Sequence, residues 1–386
     1  MKKAIIVIGY NRKNSIERLM QSVEKANYGE DTIDLIFSID NSGETFVEEY
    51  TKEYEWKHGK KIVRTFNERQ GLKKHVLSCG DYFSEYDWLI ILEDDLIVSP
   101  NFFQYAKQAV DVYSNDDRIA GISLYSHRRN VLANRTFMPR DSRYDVFFMQ
   151  FAQSWGQVWM KNAWQKFMTW YAEHAEVPLE ADDFPKQISN WSKSSWLKYH
   201  IKYCVETNRF FAYPYRSLST CYAEIGEHQQ YVSTVFQVPL EYDVRTKYEL
   251  CTLDESQVKY DVYFEPISLP LPEKTCIDIY GKKKLLYLNS GKFRYCLTCK
   301  PLNLPIKSSY GLNMVPHEQN VIDRVMGKDI FLYEIGDRHA ELKNESIGSF
   351  IHRMEYYQKL DCTIKEVIGL LWIKIKKTLK LHCGGM

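Results

Sequence analysis

Short apolar runs alternate with amphipathic segments over the first third of the chain. The apolar runs predict buried strands, and the amphipathic segments predict helices that bury one face. The predicted strands are Ala4–Ile8, Asp34–Ile39, Lys61–Phe66, Trp88–Leu92 and Ile119–Leu124, and the predicted helices are Ser15–Ala26, Leu72–Phe83 and Phe102–Tyr113. Because strands that alternate with helices form sheets covered on both faces, the pattern indicates an α/β fold with a mostly parallel sheet flanked by helices.

The pattern changes further along the chain. Tryptophans become dense from about residue 147, and from about residue 236 short strand-like runs and loops carry most of the prolines. We therefore expect a first domain over residues 1–235, an accessory region over 236–360 and a basic amphipathic helix over 361–386. That helix, with lysines on one face and Trp372 on the other, is typical of a segment at an anionic membrane surface, although such helices also pack on a protein's own core.

Composition excludes several classes of protein. Hydrophobic residues make up 45% of the 386 residues, which excludes a disordered chain. Lys and Arg number 51 against 50 Asp and Glu, so the chain lacks the basic excess of a nucleic-acid-binding protein and we expect no nucleic-acid partner. No apolar run approaches the roughly 20 residues that cross a bilayer.

The expected compartment is a reducing one. The amino-terminal apolar run is too short for a secretory signal peptide. The nine cysteines are odd in number and scattered, which favours reduced thiols. Cys296 and Cys299 form a lone CxxC pair, which is more typical of buried thiols than of zinc ligands. We expect a cytoplasmic protein, at the inner face of the membrane if the terminal helix binds lipid.

Polar side chains follow three predicted strands at the points where the strands end. Asn11 and Arg12 follow the first strand, Asp40 follows the second, and the triplet Glu93–Asp95 follows the fourth. Ligands of parallel sheets bind at this edge. The chain has neither a glycine-rich dinucleotide loop nor a P-loop lysine, so a phosphate ligand would need another counter-charge. Mg²⁺ or Mn²⁺ held by carboxylates would supply it, whereas the alternative for the triplet is a solvated turn with a capping role.

The segment from Ile90 to Phe103, which reads Ile-Ile-Leu-Glu-Asp-Asp-Leu-Ile-Val-Ser-Pro-Asn-Phe-Phe, resembles the Glu-Asp-Asp segment of GT-A fold glycosyltransferases. It is most similar to the N-acetylglucosaminyltransferase I type and to bacterial capsule and O-antigen transferases. The opening Ile6–Arg12, the strand end Phe37–Asp40, Gly71–His75, the pair Trp155-Gly156 and the stretch from Tyr213 to His228 also fit that family. The resemblance covers residues 1–235 and implies a GT-A, Rossmann-like domain.

The resemblance implies roles for the residues at the strand ends. Asp95 would be the direct metal ligand, with Mn²⁺ or Mg²⁺ bridging the diphosphate of a nucleotide-sugar donor. The other implied donor-binding residues are Tyr10, Asn11, Arg12, Asp40, His75, Glu93 and Asp94. Arg12 is alternatively a surface charge, and His75 is alternatively a partly buried helix histidine.

Acceptor contacts are expected on the aromatic segment. Trp155 and Trp196 could stack against sugar rings and His228 could lie beside them, although a single tryptophan is more often part of a core. The acceptor itself would be a glycan or a lipid-linked glycan.

The catalytic base departs from the family pattern. An inverting transferase needs a base for the acceptor hydroxyl, and in the similar family this is an Asp two residues before a Trp. Here Ser194 stands at that position before Trp196. The alignment is shifted, or Asp183 or Glu224 replaces the missing Asp, or the protein binds donor without turning it over.

These features predict a metal-dependent, inverting glycosyltransferase that moves a sugar from a nucleotide-diphosphate donor to a bacterial surface glycan. The alternative from another class is a non-catalytic nucleotide-sugar-binding or scaffold subunit of a polysaccharide assembly complex. A metal-dependent phosphotransferase or nuclease is a third interpretation, against which the near-zero net charge argues.

Overall fold

The computed structural model of the protein describes residues 1–224, 232–344, 346–348, 351, 363–365, 367–369, 371–372 and 375. The strands within these residues are β1 Lys3–Gly9, β2 Asp34–Ile39, β3 Lys61–Thr65, β4 Trp88–Glu93, β5 Leu96–Val98, β6 Ile119–Ser123, β7 Arg129–Asn130, β8 Arg135–Thr136, β9 Val146–Met149, β10 Gln157–Met160, β11 Phe210–Pro214, β12 Ser219–Cys221, β13 Lys259–Tyr260, β14 Thr275–Asp278, β15 Tyr295–Thr298, β16 Ile306–Tyr310 and β17 Ile330–Glu334. The α-helices with defined bounds are α1 Lys13–Glu24, α2 Phe46–Glu53, α3 Leu72–Ser78, α4 Phe102–Tyr113, α5 Lys161–His174, α6 Lys186–Ser189, α7 Leu197–Glu206, α8 Leu285–Leu288 and α9 Gln319–Ile322, and a 3₁₀ helix spans Cys79–Ser84.

A nine-stranded sheet organises the fold, with the strand order β13-β9-β11-β6-β10-β4-β1-β2-β3. Strands β4, β1, β2 and β3 run parallel to one another, β10 lies antiparallel between β4 and β6, and β9 lies antiparallel to β11. The predicted α/β class with a mostly parallel sheet is therefore confirmed. The five predicted strands and three predicted helices are present, with small shifts at their ends and with a 3₁₀ turn completing the helix predicted over Leu72–Phe83.

Helices cover both faces of this sheet, which explains why β1 is apolar at consecutive positions. Ile5 and Val7 face one core with α1, α2 and α4, whereas Ala4, Ile6 and Ile8 face the other with α3, α5 and α7. Successive side chains of a strand point to opposite faces, so a strand buried on both sides has no polar positions. This double burial fixes the strand ends, from which the polar loops emerge.

The chain divides into two compact units. The first consists of Met1–Lys300 with Leu304–Ala340, and the second of Pro301–Asn303 with Glu341–Met386. Strand β13, beyond the predicted boundary at residue 235, pairs with β9 in the nine-stranded sheet of the first unit. The first unit also holds a four-stranded sheet with the order β14-β15-β17-β16. The functional boundaries predicted at residues 235 and 360 remain predictions.

The described residues of the carboxyl-terminal segment are helical between 364 and 375. Their apolar side chains are exposed, including Ile364, Ile368 and Trp372. The remainder of the predicted helix over 361–386, including Lys374 and Lys376, lies outside the described residues. Within the part of the chain that the structure describes, we find no helix that has both the length and the hydropathy of a membrane span.

Candidate active site

A cavity of about 940 Å³ opens at the carboxyl ends of β1, β2 and β4. These strands end level with one another, because Gly9 lies opposite Ile39 and Ile8 lies opposite Glu93. The predicted site residues that line the cavity are Tyr10, Asn11, Arg12, Asp40, His75, Glu93, Asp94, Asp95, Trp155, Trp196 and Glu224. The fold thus brings together in one cavity residues that lie more than 200 positions apart in sequence.

The acidic triplet is held by Arg12, the residue that precedes α1. Its guanidinium forms a fork on Asp94, in which Nε donates to Oδ2 at 3.2 Å and Nη2 donates to Oδ1. The same Nη2 lies 3.4 Å from Asp95 Oδ2. A planar guanidinium suits such paired contacts, and it orients two carboxylates at once.

Burial raises the pKa values of two members of the triplet. Asp94 is only 5% exposed, and its pKa rises to about 6 because burial outweighs the opposing effect of Arg12. The pKa of Glu93 is also raised, by burial and then by the charges of Asp95 and Asp94, although Ser154 donates a hydrogen bond to it. Each of these carboxyl groups therefore disfavours a negative charge on the others, and Arg12 offsets only part of that effect.

Asp95 carries the feature that fits a metal ligand. Its Oδ1 is buried and has no hydrogen-bond partner among the described residues. A buried carboxylate oxygen without a donor is unfavourable unless a cation or another ligand satisfies it. Hard carboxylate oxygens suit Mg²⁺ and Mn²⁺, so the residues present fit such an ion. Within the described ranges no group of three His, Cys, Asp or Glu side chains is arranged to hold a metal, so Asp95 would need ligand atoms from a substrate or water.

Asp40 is engaged by the backbone. Its Oδ1 accepts from the N–H groups of Asn41 at 2.9 Å and Gln70 at 2.7 Å, and its Oδ2 accepts from Gly71 N–H at 2.9 Å. Gly71 has a φ of +72°, which favours glycine, and it begins the turn into α3. Asp40 thus fixes the loop between β3 and α3 against the end of β2, whatever ligand contact it also makes.

His75 lies on α3 at the inner wall of the cavity. Its Nε2 is 2.8 Å from Ser38 Oγ, which also accepts from Arg64 Nε at 3.1 Å. Burial lowers the pKa of His75 to about 4, so the imidazole is neutral at physiological pH. His75 is therefore a buried helix histidine that also lines the cavity, and its role in donor binding remains a prediction.

The two predicted acceptor tryptophans differ in their surroundings. Trp155 is half-buried, with its ring 4.8 Å from Tyr125 and 5.2 Å from Phe236 between centroids. Trp196 is 2% exposed and lies edge-on to Trp159 at 5.8 Å, so most of it belongs to the core. His228, the third predicted acceptor residue, lies outside the described residues.

The two candidates for the catalytic base, Glu224 and Asp183, differ in whether they line the cavity. Glu224 lines the cavity, where Ser15 Oγ donates to its Oε2 at 2.5 Å and Arg18 Nη1 lies 2.8 Å from its Oε1. The hydrogen bond from Arg18 lowers the pKa of Glu224. Asp183 does not line the cavity, and its charge acts instead near the buried Tyr263. Ser194 does line the cavity. At the position where the similar family carries an Asp, the cavity wall therefore has a hydroxyl group and not a carboxylate.

Some cavity residues were not singled out from the sequence. Arg69 follows β3 and its guanidinium lies 4.9 Å from the Tyr10 ring centroid, Ser154 bonds to Glu93, and Phe236 packs on Trp155. Arg69 could have been found by the same rule as Asp40, because it lies beyond the end of a parallel strand. Ser154 and Phe236 carry no local pattern that indicates a site.

The region that forms the cavity is similar to a known family of enzymes. Residues 4–163 match the model of glycosyl transferase family 2. These residues hold β1 to β4 and all three groups of polar strand-end residues, so the similarity to glycosyl transferase family 2 covers the strands that form the cavity. The finer likeness to the N-acetylglucosaminyltransferase I type remains a prediction.

Solved structures of low similarity include two glycosyltransferases. Residues 1–349 of TarS from S. aureus, in complex with UDP-GlcNAc, match with 12% identity and a TM-score of 0.39, over 59% of this chain and 60% of that one. The mannosyltransferase PcManGT from Pyrobaculum calidifontis, in complex with GDP-Man and Mn²⁺, matches with 11% identity and a TM-score of 0.31, over 43% of this chain and 46% of that one. The chain thus spans about half to three fifths of these proteins. No curated protein sequence matches it.

Proposed function

We propose that the protein is a metal-dependent, inverting glycosyltransferase that moves a sugar from a nucleotide-diphosphate donor to a bacterial surface glycan. The observation that carries the proposal is the buried Asp95 oxygen without a partner among the described residues, in a cavity of about 940 Å³ at the strand ends of the region that matches glycosyl transferase family 2. Cavities of this size accommodate ligands as large as a nucleotide sugar.

The charges that line the cavity support a role for a cation. Asp40, Glu93, Asp94, Asp95 and Glu224 all line it. A diphosphate brought beside these carboxylates would be repelled unless a positive charge lay between them. Mn²⁺ or Mg²⁺ bound at Asp95 would supply Lewis-acid stabilisation of the departing diphosphate.

The chain's own residues would orient the donor around that position. Arg12 holds Asp94 and Asp95 through its guanidinium group. Asp40 fixes the loop at Gln70 and Gly71, which would border the nucleobase of the donor. Glu93, with its raised pKa, can exist near neutral pH as an acid that donates to a sugar hydroxyl. Glu224 is the proposed base, since it is the candidate carboxylate that lines the cavity and is not adjacent to Asp95 in sequence.

The test is release of nucleoside diphosphate from UDP-, GDP-, CDP- and dTDP-sugars, with Mn²⁺ and with chelator. We expect the unchanged protein to release nucleoside diphosphate faster with Mn²⁺ than with chelator. We expect the Asp95→Asn protein to show no such difference. Thermal shift with each nucleotide measures binding separately, because a ligand raises the melting temperature by mass action. Binding of a donor without any turnover would contradict the enzymatic proposal.

That second outcome corresponds to the alternative function, a non-catalytic nucleotide-sugar-binding subunit. Ser194 favours it, because this serine lines the cavity at the position where the similar family carries its base. Serine cannot take a proton from an acceptor hydroxyl unaided. Turnover that survives Glu224→Gln would remove the proposed base and leave the donor-binding role intact.

We also propose that the carboxyl-terminal segment contacts an anionic membrane surface, which would bring a lipid-linked acceptor to the cytoplasmic enzyme. Ile364, Ile368 and Leu371 are 80%, 61% and 58% exposed, and Lys365 lies beside them. Flotation with phosphatidylglycerol vesicles should retain the full chain, and Ile368→Glu with Leu371→Glu should release it. The exposed Val112 on α4, changed to Glu, is the matched control; equal retention of all variants would refute the contact.

A further inference from the structure

Three lysines lie close to one another around Tyr199 on α7. Lys73 on α3 and Lys198 on α7 place their Nζ atoms 5.4 and 5.5 Å from the same ring centroid, that of Tyr199. Lys198 Nζ donates to the carbonyl of Trp191 at 3.0 Å, and Lys193 lies two residues beyond that carbonyl. We name Lys73, Lys193 and Lys198 the lysine cluster.

The positive charge of the lysine cluster is not neutralised by acidic side chains. Among the described residues no carboxylate lies within 4.0 Å of any of these three ammonium groups, whereas Lys202, one turn further along α7, pairs with Glu206 at 3.1 Å. Lys198 is only 6% exposed, and burial together with Lys73 and Lys193 lowers its pKa. Positive charges that face one another in this way are stabilised by an anion that binds between them.

The lysine cluster borders the wall of the cavity that carries neutral polar and aromatic groups. Leu72, Ser192, Ser194 and Leu197, which are the sequence neighbours of the three lysines, all line the cavity. The hydroxyls of Ser192 and Ser194 lie 2.7 Å apart on this wall. An anion bound by the lysines would therefore lie at the cavity edge, beside groups that hydrogen-bond sugar hydroxyls.

The donor diphosphate is not the anion that this arrangement favours. The pKa values of Glu93 and Asp94 are set mainly by burial, by one another, by Asp95 and by Arg12. None of the three lysines lines the cavity, whereas all three members of the acidic triplet do, so the lysine cluster lies outside the wall where the diphosphate and its cation would bind. The acceptor, which is the second substrate of the transfer reaction, is then the substrate whose negative charge the lysine cluster would bind.

We propose that the lysine cluster binds a phosphate or carboxylate group on the acceptor saccharide, so that the enzyme prefers an anionic acceptor. This inference rests on the proposed transferase function. It adds a substrate class, because a neutral glycan would leave the three ammonium groups without an anionic partner among the described residues.

The test measures binding of glucose 6-phosphate, glucuronic acid and glucose to the full chain by saturation-transfer NMR titration. We expect both anions to bind more tightly than glucose, and comparison of the two distinguishes a phosphate site from a carboxylate site. Lys73→Ala and Lys193→Ala should each weaken the anions by roughly two- to fivefold, as for partly exposed ion pairs. Lys198 is left unchanged because its burial makes misfolding a competing explanation. Lys57→Ala, at an exposed lysine away from the cavity, is the matched control.

Two results would overturn the proposal. One is equal binding of glucose and the two anions to the unchanged protein, and the other is an anion preference that survives in the Lys73→Ala, Lys193→Ala double variant. Inorganic pyrophosphate with Mn²⁺ probes the donor side, and a loss of its binding in the double variant, with glucose 6-phosphate unaffected, would assign the lysines to the donor instead. Failure of the proposed function itself would appear separately, as absence of nucleoside diphosphate release from any donor.

Discussion

Asp94→Asn should change how the stability of the protein depends on pH. The Asp94 carboxyl is 5% exposed, and its pKa is raised from an ordinary 3.8 to about 6, mainly by burial. Because the folded-state pKa is the higher one, the stabilisation from the bound proton is fully present below about pH 3.8 and is lost as the pH rises through about 6. The unchanged protein should therefore become less stable over this window, and the Asn variant should lack this contribution.

The size of the effect follows from the shift. A rise from 3.8 to about 6 corresponds to a loss of about 3 kcal/mol at about 1.36 kcal/mol for each pH unit. Part of this loss has occurred by about pH 4.5, which leaves about 2 kcal/mol between pH 4.5 and pH 8. The difference in unfolding free energy, variant minus unchanged protein, should increase by that amount. Any direct packing effect of the substitution is the same at both pH values and cancels.

Urea denaturation with chelator present, followed by tryptophan fluorescence at pH 4.5 and pH 8, measures this difference. Asp111→Asn, at an exposed position on α4, is the control and should follow the unchanged protein at both pH values. The amide oxygen introduced by Asp94→Asn can still accept from Arg12, which limits local rearrangement. If the Asp94→Asn and unchanged proteins lose the same stability between the two pH values, the carboxyl is not destabilised by burial and the reasoning fails.

Three further substitutions test the geometry of the site. Asp40→Ala removes the acceptor of three backbone N–H groups and should lower the unfolding free energy by about 2 to 3 kcal/mol in chemical denaturation; an unchanged midpoint would show that the loop does not depend on Asp40. Gly156→Ala should destabilise by about 2 kcal/mol, because φ is +90° and the new Cβ would lie 2.8 Å from Ser219 Oγ, whereas Gly43→Ala, with φ +81° and open space, should lose less. In a transfer assay Glu224→Gln should lower turnover by about 100-fold or more as expected for a lost base, and Asp183→Asn should not; a reduction by neither would refute the assignment of the base.

The parallel half of the fold could be predicted because its information is local. Strands such as Ala4–Ile8 are continuous apolar runs and helices such as Phe102–Tyr113 have one apolar face, so a short window contains the evidence for each. Ligands of parallel sheets bind at the carboxyl ends of the strands, and this principle predicted from the sequence that Arg12, Asp40 and Asp95 lie close together. The structure confirms that these three residues share one cavity.

The rest depends on contacts that a local pattern does not contain. Strand β10 enters antiparallel between β4 and β6, and this insertion carries Ser154 and Trp155, which precede it, to the acidic triplet. Nothing in the four residues Gln157–Met160 indicates such a partner. The sequence also did not indicate that Asp183 lies outside the cavity lining, because its position follows from the packing of the segment between α5 and α7.

The acidic triplet is better explained by a ligand than by the fold. Burying Glu93 and Asp94 beside each other raises the pKa of both, and Arg12 neutralises one charge of the three. A protein selected only for stability would lose nothing by replacing such a cluster, since buried like charges oppose folding. A cation at the Asp95 oxygen would remove the repulsion and supply the missing partner together. The same argument predicts that Mn²⁺ raises the melting temperature of the unchanged protein more at pH 8 than at pH 4.5, and that Asp95→Asn loses this effect. Thermal unfolding with and without Mn²⁺ at both pH values measures it. If Mn²⁺ left the melting temperature of the unchanged protein the same at both pH values, the argument for a cation at the triplet would be refuted.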